Sequence, residues 1–174
     1  TGVLPRLQAE LSRADTAEWL LPLVPILPAD DFTPLLPGIA RALTAALAGS
    51  GDLLRPDAAA VDIVEPWVAV LGDKTLEDLV ERAVLPQVAA GLEAMDCRAG
   101  ESETAFARVV PWAAAMPRHQ FVTLLERSFF PPWLRALRQM LAVAEGRADR
   151  ARVADWYEGW RHALPDTCLL YTSP

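Results

Sequence analysis

Cysteine and histidine are nearly missing from this sequence: its 174 residues hold two of each. One cysteine, Cys168, falls in a closing stretch "TCLLYTSP" whose composition breaks abruptly from what precedes it. That leaves Cys97 as the one native cysteine, too few for a disulfide framework or a metal site and consistent with a reducing intracellular compartment. His119 and His162 have no Cys, Asp or Glu at metal-ligand spacing, so neither is assigned a catalytic or metal role. Ser128 lies in "ERSFF" without the Gly-x-Ser-x-Gly elbow of a nucleophile. The nine glycines are scattered and form no phosphate-cradling loop. Glu81–Arg82 and Glu126–Arg127 recur along the chain, but on successive repeat units, where solvated or inter-repeat ion pairs are expected and a shared acid-base pocket is not. The sequence therefore predicts no enzyme, no cofactor and no metal.

Long apolar runs are missing too. Hydrophobic residues make up 52% of the chain, but Pro or charge interrupts every run well short of the roughly 20 residues that span a bilayer. No membrane partner is expected. Positive charge is scarce: 16 Lys and Arg stand against 23 Asp and Glu, a net charge of −7. That is a poor footprint for binding phosphates. The only arginine-rich stretch is 135–161, with six Arg against four acids, whereas 52–103 holds twelve acids against four bases. No strand-like alternation occurs. The chain opens on Thr1 without an initiating Met or a signal-peptide pattern. The expectation is a fragment, incomplete at both ends, with one domain over residues 1–165 and a non-native tail over 166–174.

What the sequence does have is proline and tryptophan, 15 and six residues, set at a regular interval. "VEPWVAVLG" at 64–72 matches "VVPWAAAMP" at 109–117, and "LVERAVLP" at 79–86 matches "LLERSFFP" at 124–131. Trp67 to Pro86 and Trp112 to Pro131 are both 19 residues. Six residues past each proline is a leucine (Leu92, Leu137), and nine past is a methionine (Met95, Met140). A looser copy runs from Trp19 to Pro37 with Leu43 six beyond, and Pro5 with Leu11 resembles the tail of a still earlier one. Spacings of 48 and then 45 residues between the tryptophans lie in the range of helical-hairpin repeats.

Each unit reads as two helices. Leu76, Leu79, Val80, Ala83, Val84, Val88, Leu92 and Met95 keep the i, i+3, i+4, i+7 pattern through Pro86. A proline inside a helix removes a hydrogen bond and clashes with the preceding turn. Because the apolar phase survives it, one helix kinked at the proline is predicted, not two helices. Thr75 with Asp78 is a capping box at its start. Gly72-Asp73 and Pro117-Arg118 make short turns, which give antiparallel neighbours. The fold class expected is all-α: a HEAT-like stack of αα-hairpins with Pro-kinked helices. Trp67, Trp112 and Trp133 recur with the repeat and are assigned to packing, with Pro86 and Pro131 as the structural bends. In the closing "WYEGW", Trp156 and Trp160 share a helix face with Tyr157 beside it. These three pack the end of the stack or supply aromatic anchors for a partner. Gly159 between them implies a close approach by another backbone.

These motifs carry a resemblance. "LLERSFFPPWLRALRQML" followed by "VADWYEGWRHAL" resembles the GC-rich sequence DNA-binding factor-like domain of the tuftelin-interacting protein 11 family, over about residues 3–164. That family's pattern is Pro-Trp, a helix, then apolar-apolar-Pro-basic-Leu, repeated and closed by Trp-Tyr-x-Gly-Trp. This chain departs at the basic position, which is Arg6 in the first copy but Gly38, Gln87 and Pro132 afterwards. The resemblance implies a non-enzymatic scaffold domain of a nuclear splicing factor, acting in spliceosome disassembly. Its partners would be spliceosomal proteins, and a DEAH-box RNA helicase recruited through a Gly-rich patch N-terminal to the domain and outside this chain. The family's name suggests a second reading, a nucleic-acid-binding helical repeat, which the acidic balance disfavours.

Overall fold

The computed structural model describes residues 20–26, 28–50, 53–54, 60–98 and 102–164. The early copies at Pro5, Arg6, Leu11 and Trp19, and the tail from 166, lie outside the described residues. All regular structure among the described residues is helical, and none of it is strand. No helix among them is long and apolar enough to cross a membrane. The helices are α1 (Ala29–Phe32), α2 (Leu36–Gly49), α3 (Ala60–Val64), α4 (Val68–Leu71), α5 (Asp73–Leu79), α6 (Leu85–Ala94), α7 (Ser102–Phe106), α8 (Trp112–Ala115), α9 (Arg118–Leu124), α10 (Phe130–Ala142) and α11 (Arg147–Ala163). Two π-helical turns, π1 (Val80–Val84) and π2 (Leu125–Phe129), join α5 to α6 and α9 to α10 without a break.

The contacts sort the chain into two compact units. Of the described residues, those up to Gln87, with Ala114–Pro117, form the first; those of Val88–Ala113 and from Arg118 to Leu164 form the second. The first is built around α2, which buries Ile39, Ala42, Leu43 and Leu47 at helical spacing. Pro37 sits in the first turn of α2, where its missing N–H would be unpaired in any case. Helices α3 and α5 and the turn π1 pack on α2. Trp67 closes a 3-10 turn opened by Glu65-Pro66 and is 1% exposed. The assignment of this tryptophan to the core therefore holds.

The two later prolines are handled by a device the periodicity does not reveal. In both copies the residues just before the proline form a π turn, in which the amide N–H of Leu85 donates to the Val80 carbonyl and that of Phe130 to Leu125. A π turn holds one extra residue and widens the helix locally. The proline then enters the next α-helix near its first turn, displaced from the carbonyl it would meet in an unbroken α-helix. The Gln87 side-chain amide Nε2 donates to the Ala83 carbonyl at 2.8 Å. Gln87 occupies the position at which the repeat pattern calls for a basic residue. Helical conformation runs unbroken from Asp73 to Ala94 and from Arg118 to Ala142, as one helix through each proline.

The start of the second unit's counterpart helix in the first unit differs from the expectation. Helix α5 begins at Asp73, two residues before Thr75, and its N-cap is Gly72 with no side-chain cap. Thr75 and Asp78 therefore lie inside the helix and form no capping box. The turn from α4 to α5 instead depends on Gly72, whose φ of 70° and ψ of 157° fall in a region open essentially to glycine alone. A Cβ there would meet nothing within 4 Å, so the cost of Gly72→Ala is backbone strain only. A loss of about 1–3 kcal/mol is expected, read from the urea midpoint; a change within noise would mean that the turn adopts another conformation.

Candidate functional site

The second unit gathers the aromatic residues. Phe106 of α7, Phe129 of π2 and Trp160 of α11 are each 0% exposed and meet with ring centroids 4.5, 5.3 and 5.8 Å apart. The phase of the repeat explains Phe129, which stands where Val84 stands in the preceding copy, a position buried in both. Trp133, two residues past Pro131, stacks on Trp156 at 5.5 Å and 20°. The Trp156 indole N–H donates to the Cys97 carbonyl at 2.8 Å and so ties α11 to the turn after α6. Trp112 is buried at 1% exposure.

The closing motif is thus divided by burial. Trp160 is wholly interior, Trp156 is half-buried with its polar edge used, and Tyr157 alone is exposed, at 45%. Spacing alone placed Trp156 and Trp160 on one face, and they do lie together at 6.2 Å. The sequence had no signal for which of them reaches water, because that depends on where α7 and π2 lie. The indole N–H groups of Trp133 and Trp160 find no acceptor, each at a cost on the order of 1–3 kcal/mol of desolvation. Gly159 is explained differently from the expectation. A Cβ there would meet the Glu103 carboxylate, not another backbone.

The remaining sequence candidates fall apart. His119 and His162 are exposed, at the start of α9 and the end of α11. Glu81, Arg82, Glu126 and Arg127 are exposed on the π turns. Ser128 is buried on π2 and its hydroxyl donates to Glu93 at 2.9 Å. Burial foremost, and then the neighbouring Asp96 charge, pushes the Cys97 thiol up, away from a reactive thiolate. Asp149 is held below the usual carboxylate range by its pairing with Arg152, then by the Gly146 N–H at the start of α11. It acts as a helix cap. No group of His, Cys, Asp and Glu able to hold a metal occurs among the described residues.

The described residues form two open grooves, among others. In the first unit, about 360 Å³ is enclosed between Pro37, Ala40, Arg41 and Thr44 of α2 and, opposite them, Thr75, Asp78, Leu79 and Arg82 of α5 and π1. In the second, about 480 Å³ lies along α10, lined by Glu126 of π2 and by Phe130, Pro131, Leu134, Arg135, Arg138 and Gln139. Counted from the unit proline, the four positions of α2 that line the first groove, 0, +3, +4 and +7, all recur among the six that α10 gives the second.

The sequence has known relatives. The family model for GC-rich sequence DNA-binding factor-like protein matches residues 3–137. The chain belongs to that family. Tuftelin-interacting protein 11 of Rattus norvegicus and that of Mus musculus are each 28% identical to it over 180 residues, which is 98% of this chain and 20% of theirs. The Sus scrofa protein is 27% identical over 180 residues, 98% of this chain and 21% of its own. The chain therefore spans about one fifth of the length of these curated relatives. The GC-rich sequence DNA-binding factor-like match takes in Trp67, Pro86, Trp112, Pro131 and Trp133 and ends before α11. The repeat residues are inside it, and the closing aromatic motif lies within the likeness to tuftelin-interacting protein 11, which takes in 98% of this chain.

Proposed function

We propose that this chain is a non-enzymatic scaffold domain of a nuclear splicing factor that acts in spliceosome disassembly. Its part is to dock on spliceosomal proteins. Helicase recruitment, of a DEAH-box RNA helicase, falls to a region of the longer protein outside this chain. Membership of the GC-rich sequence DNA-binding factor-like family, with likeness to tuftelin-interacting protein 11 along the whole chain, carries the reading. The regular Trp–Pro units support it, since successive units in a HEAT-like stack would offer the long concave face on which such proteins bind their partners. Of the three closing aromatics, only Tyr157 presents an exposed ring in this chain, and Trp156 and Trp160 serve packing.

Nucleic-acid binding is the competing reading, and the net charge of −7 weighs against it. The two separate in one experiment. Titration with single-stranded RNA at about 150 mM salt should show nothing tighter than the ordinary non-specific range of about 10⁻⁴ to 10⁻⁶ M. Pull-down from nuclear extract should recover splicing proteins and survive nuclease treatment. Submicromolar, salt-sensitive RNA affinity, or a pull-down that nuclease abolishes, would transfer the assignment to the nucleic-acid reading.

A further inference from the structure

We propose that the groove on α10 is the seat of the long helix of a following repeat unit, supplied by the continuation of this protein beyond α11. That helix would lie in the register that Thr75–Arg82 takes on α2. The inference rests on the repeat and its burial pattern and is independent of any role in splicing.

The first argument is positional. On α2, positions 0, +3, +4 and +7 from the proline face the long helix of the next unit, which fills the other wall of that groove. On α10 the same positions are Pro131, Leu134, Arg135 and Arg138, and every described residue lining that groove comes from π2 or α10. The hydroxyl of Ser128 on Glu93 is the same relation once more: Glu93 is at +7 from Pro86, and Ser128 belongs to the next unit's π turn. Positions +6 and +10 repeat the contrast. Leu43 and Leu47 on α2 are 0% exposed, whereas Leu137 on α10 is half-buried and Leu141 is 53% exposed. Leu134 is 40% exposed. Leucines at equivalent positions, covered in one copy and open in another, mark a missing neighbour.

The second argument identifies that neighbour. Helix α11 is itself the first helix of a further unit. It starts at Arg147, 16 residues after Pro131, as α7 starts at Ser102, 16 residues after Pro86. It packs on α10 as α3 packs on α2. Tyr157 lies 45 residues after Trp112, which lies 45 after Trp67. Both tryptophans are 1% exposed, but Tyr157 is 45% exposed. In the earlier units the long helix begins at Asp73, nine residues after α3 ends at Val64, and at Arg118, twelve after α7 ends at Phe106; the described residues end at Leu164, one past α11. The relatives to which this chain is similar are about five times its length, so the whole protein is expected to hold sequence outside these residues.

The chemistry of the seat constrains the occupant. Arg135 and Arg138 stand where α2 has Arg41 and Thr44, so the α10 wall carries one more cation than the α2 wall, whose groove gains its second cation, Arg82, from π1. The incoming helix should bring an apolar residue onto Leu134, as Leu79 does in the first groove. It should bring carboxylates towards the two arginines, where the first groove has Asp78.

The test compares the purified chain of residues 1–174 with the purified full-length protein by hydroxyl-radical footprinting. Oxidation of Leu134, Leu141 and Tyr157 should fall severalfold together in the full-length protein, at all protein concentrations. A second measurement uses Leu134→Glu, which should leave the thermal midpoint of the 1–174 chain unchanged and lower that of the full-length protein. Equal oxidation in both proteins would overturn the proposal. So would protection that grows with protein concentration, which would assign the seat to a second copy. Protection that appears only when splicing partners are added would assign it to a partner and overturn it equally.

Discussion

Replacing Trp160 with alanine should cost the second unit about 3–5 kcal/mol, the range for truncating a fully buried large aromatic. A domain of this size has only about 5–15 kcal/mol in all, so the variant should be partly unfolded at physiological temperature. The ring is 0% exposed and touches Phe106, Phe129 and Trp156. Those three come from α7, π2 and α11, so the cavity left behind would sit where three elements meet and could not easily collapse. Trp160→Phe should cost distinctly less. It removes an indole N–H that has no acceptor, which offsets part of the lost packing. Tyr157→Ala, three residues away and 45% exposed, should change the 1–174 chain by no more than about 0.5 kcal/mol. Chemical denaturation followed by tryptophan fluorescence measures all three. A Trp160→Ala loss below about 1 kcal/mol would show that the aromatic cluster is not the core of this unit.

Deleting Ala83 should be more damaging than any substitution at Pro86. The deletion removes the extra residue of π1 and returns the segment to α-helical bonding. Each residue turns an α-helix by about 100°, so everything after the deletion rotates by that angle against everything before it. Val88 and Leu92, both 0% exposed, would leave their places. At about 1.5–3 kcal/mol for each buried aliphatic side chain, these two alone represent about 3–6 kcal/mol. The Pro86 ring would also be brought back onto the carbonyl one turn earlier. Pro86→Ala keeps the register, and as an exposed position it should move stability by about 0.5 kcal/mol. Circular dichroism and a denaturation curve on both variants decide it. If the deletion variant were as stable as Pro86→Ala, the π turn would not set the register of the following helix.

The sequence reading went furthest where one residue type repeats at one interval. Trp67 and Trp112 were assigned to packing from their spacing alone, and both are buried. The persistence of apolar phase through Pro86 predicted a single helix, and the helical run from Asp73 to Ala94 bears it out. It did not predict how the proline is tolerated. A π turn changes the phase by one residue's rotation, and the broad apolar stripe of "LVERAVLP" absorbs that change without leaving a trace in the pattern. The capping box at Thr75 failed for a related reason: the side chains have the right types, but Gly72 lets the helix begin two residues sooner.

The all-α class, the recurrence of the Trp–Pro unit and the family were set by the sequence itself. Each follows from local propensity and periodic spacing, which are properties of neighbours along the chain. Tertiary structure alone decided that Trp160 is interior while Tyr157 meets water, that Glu103 occupies the space beside Gly159, and that the proline face of α10 is open while that of α2 is covered. Helical periodicity states which residues share a face. It cannot state whether a second helix arrives to cover that face, because the covering residues lie dozens of positions away and only packing brings them there.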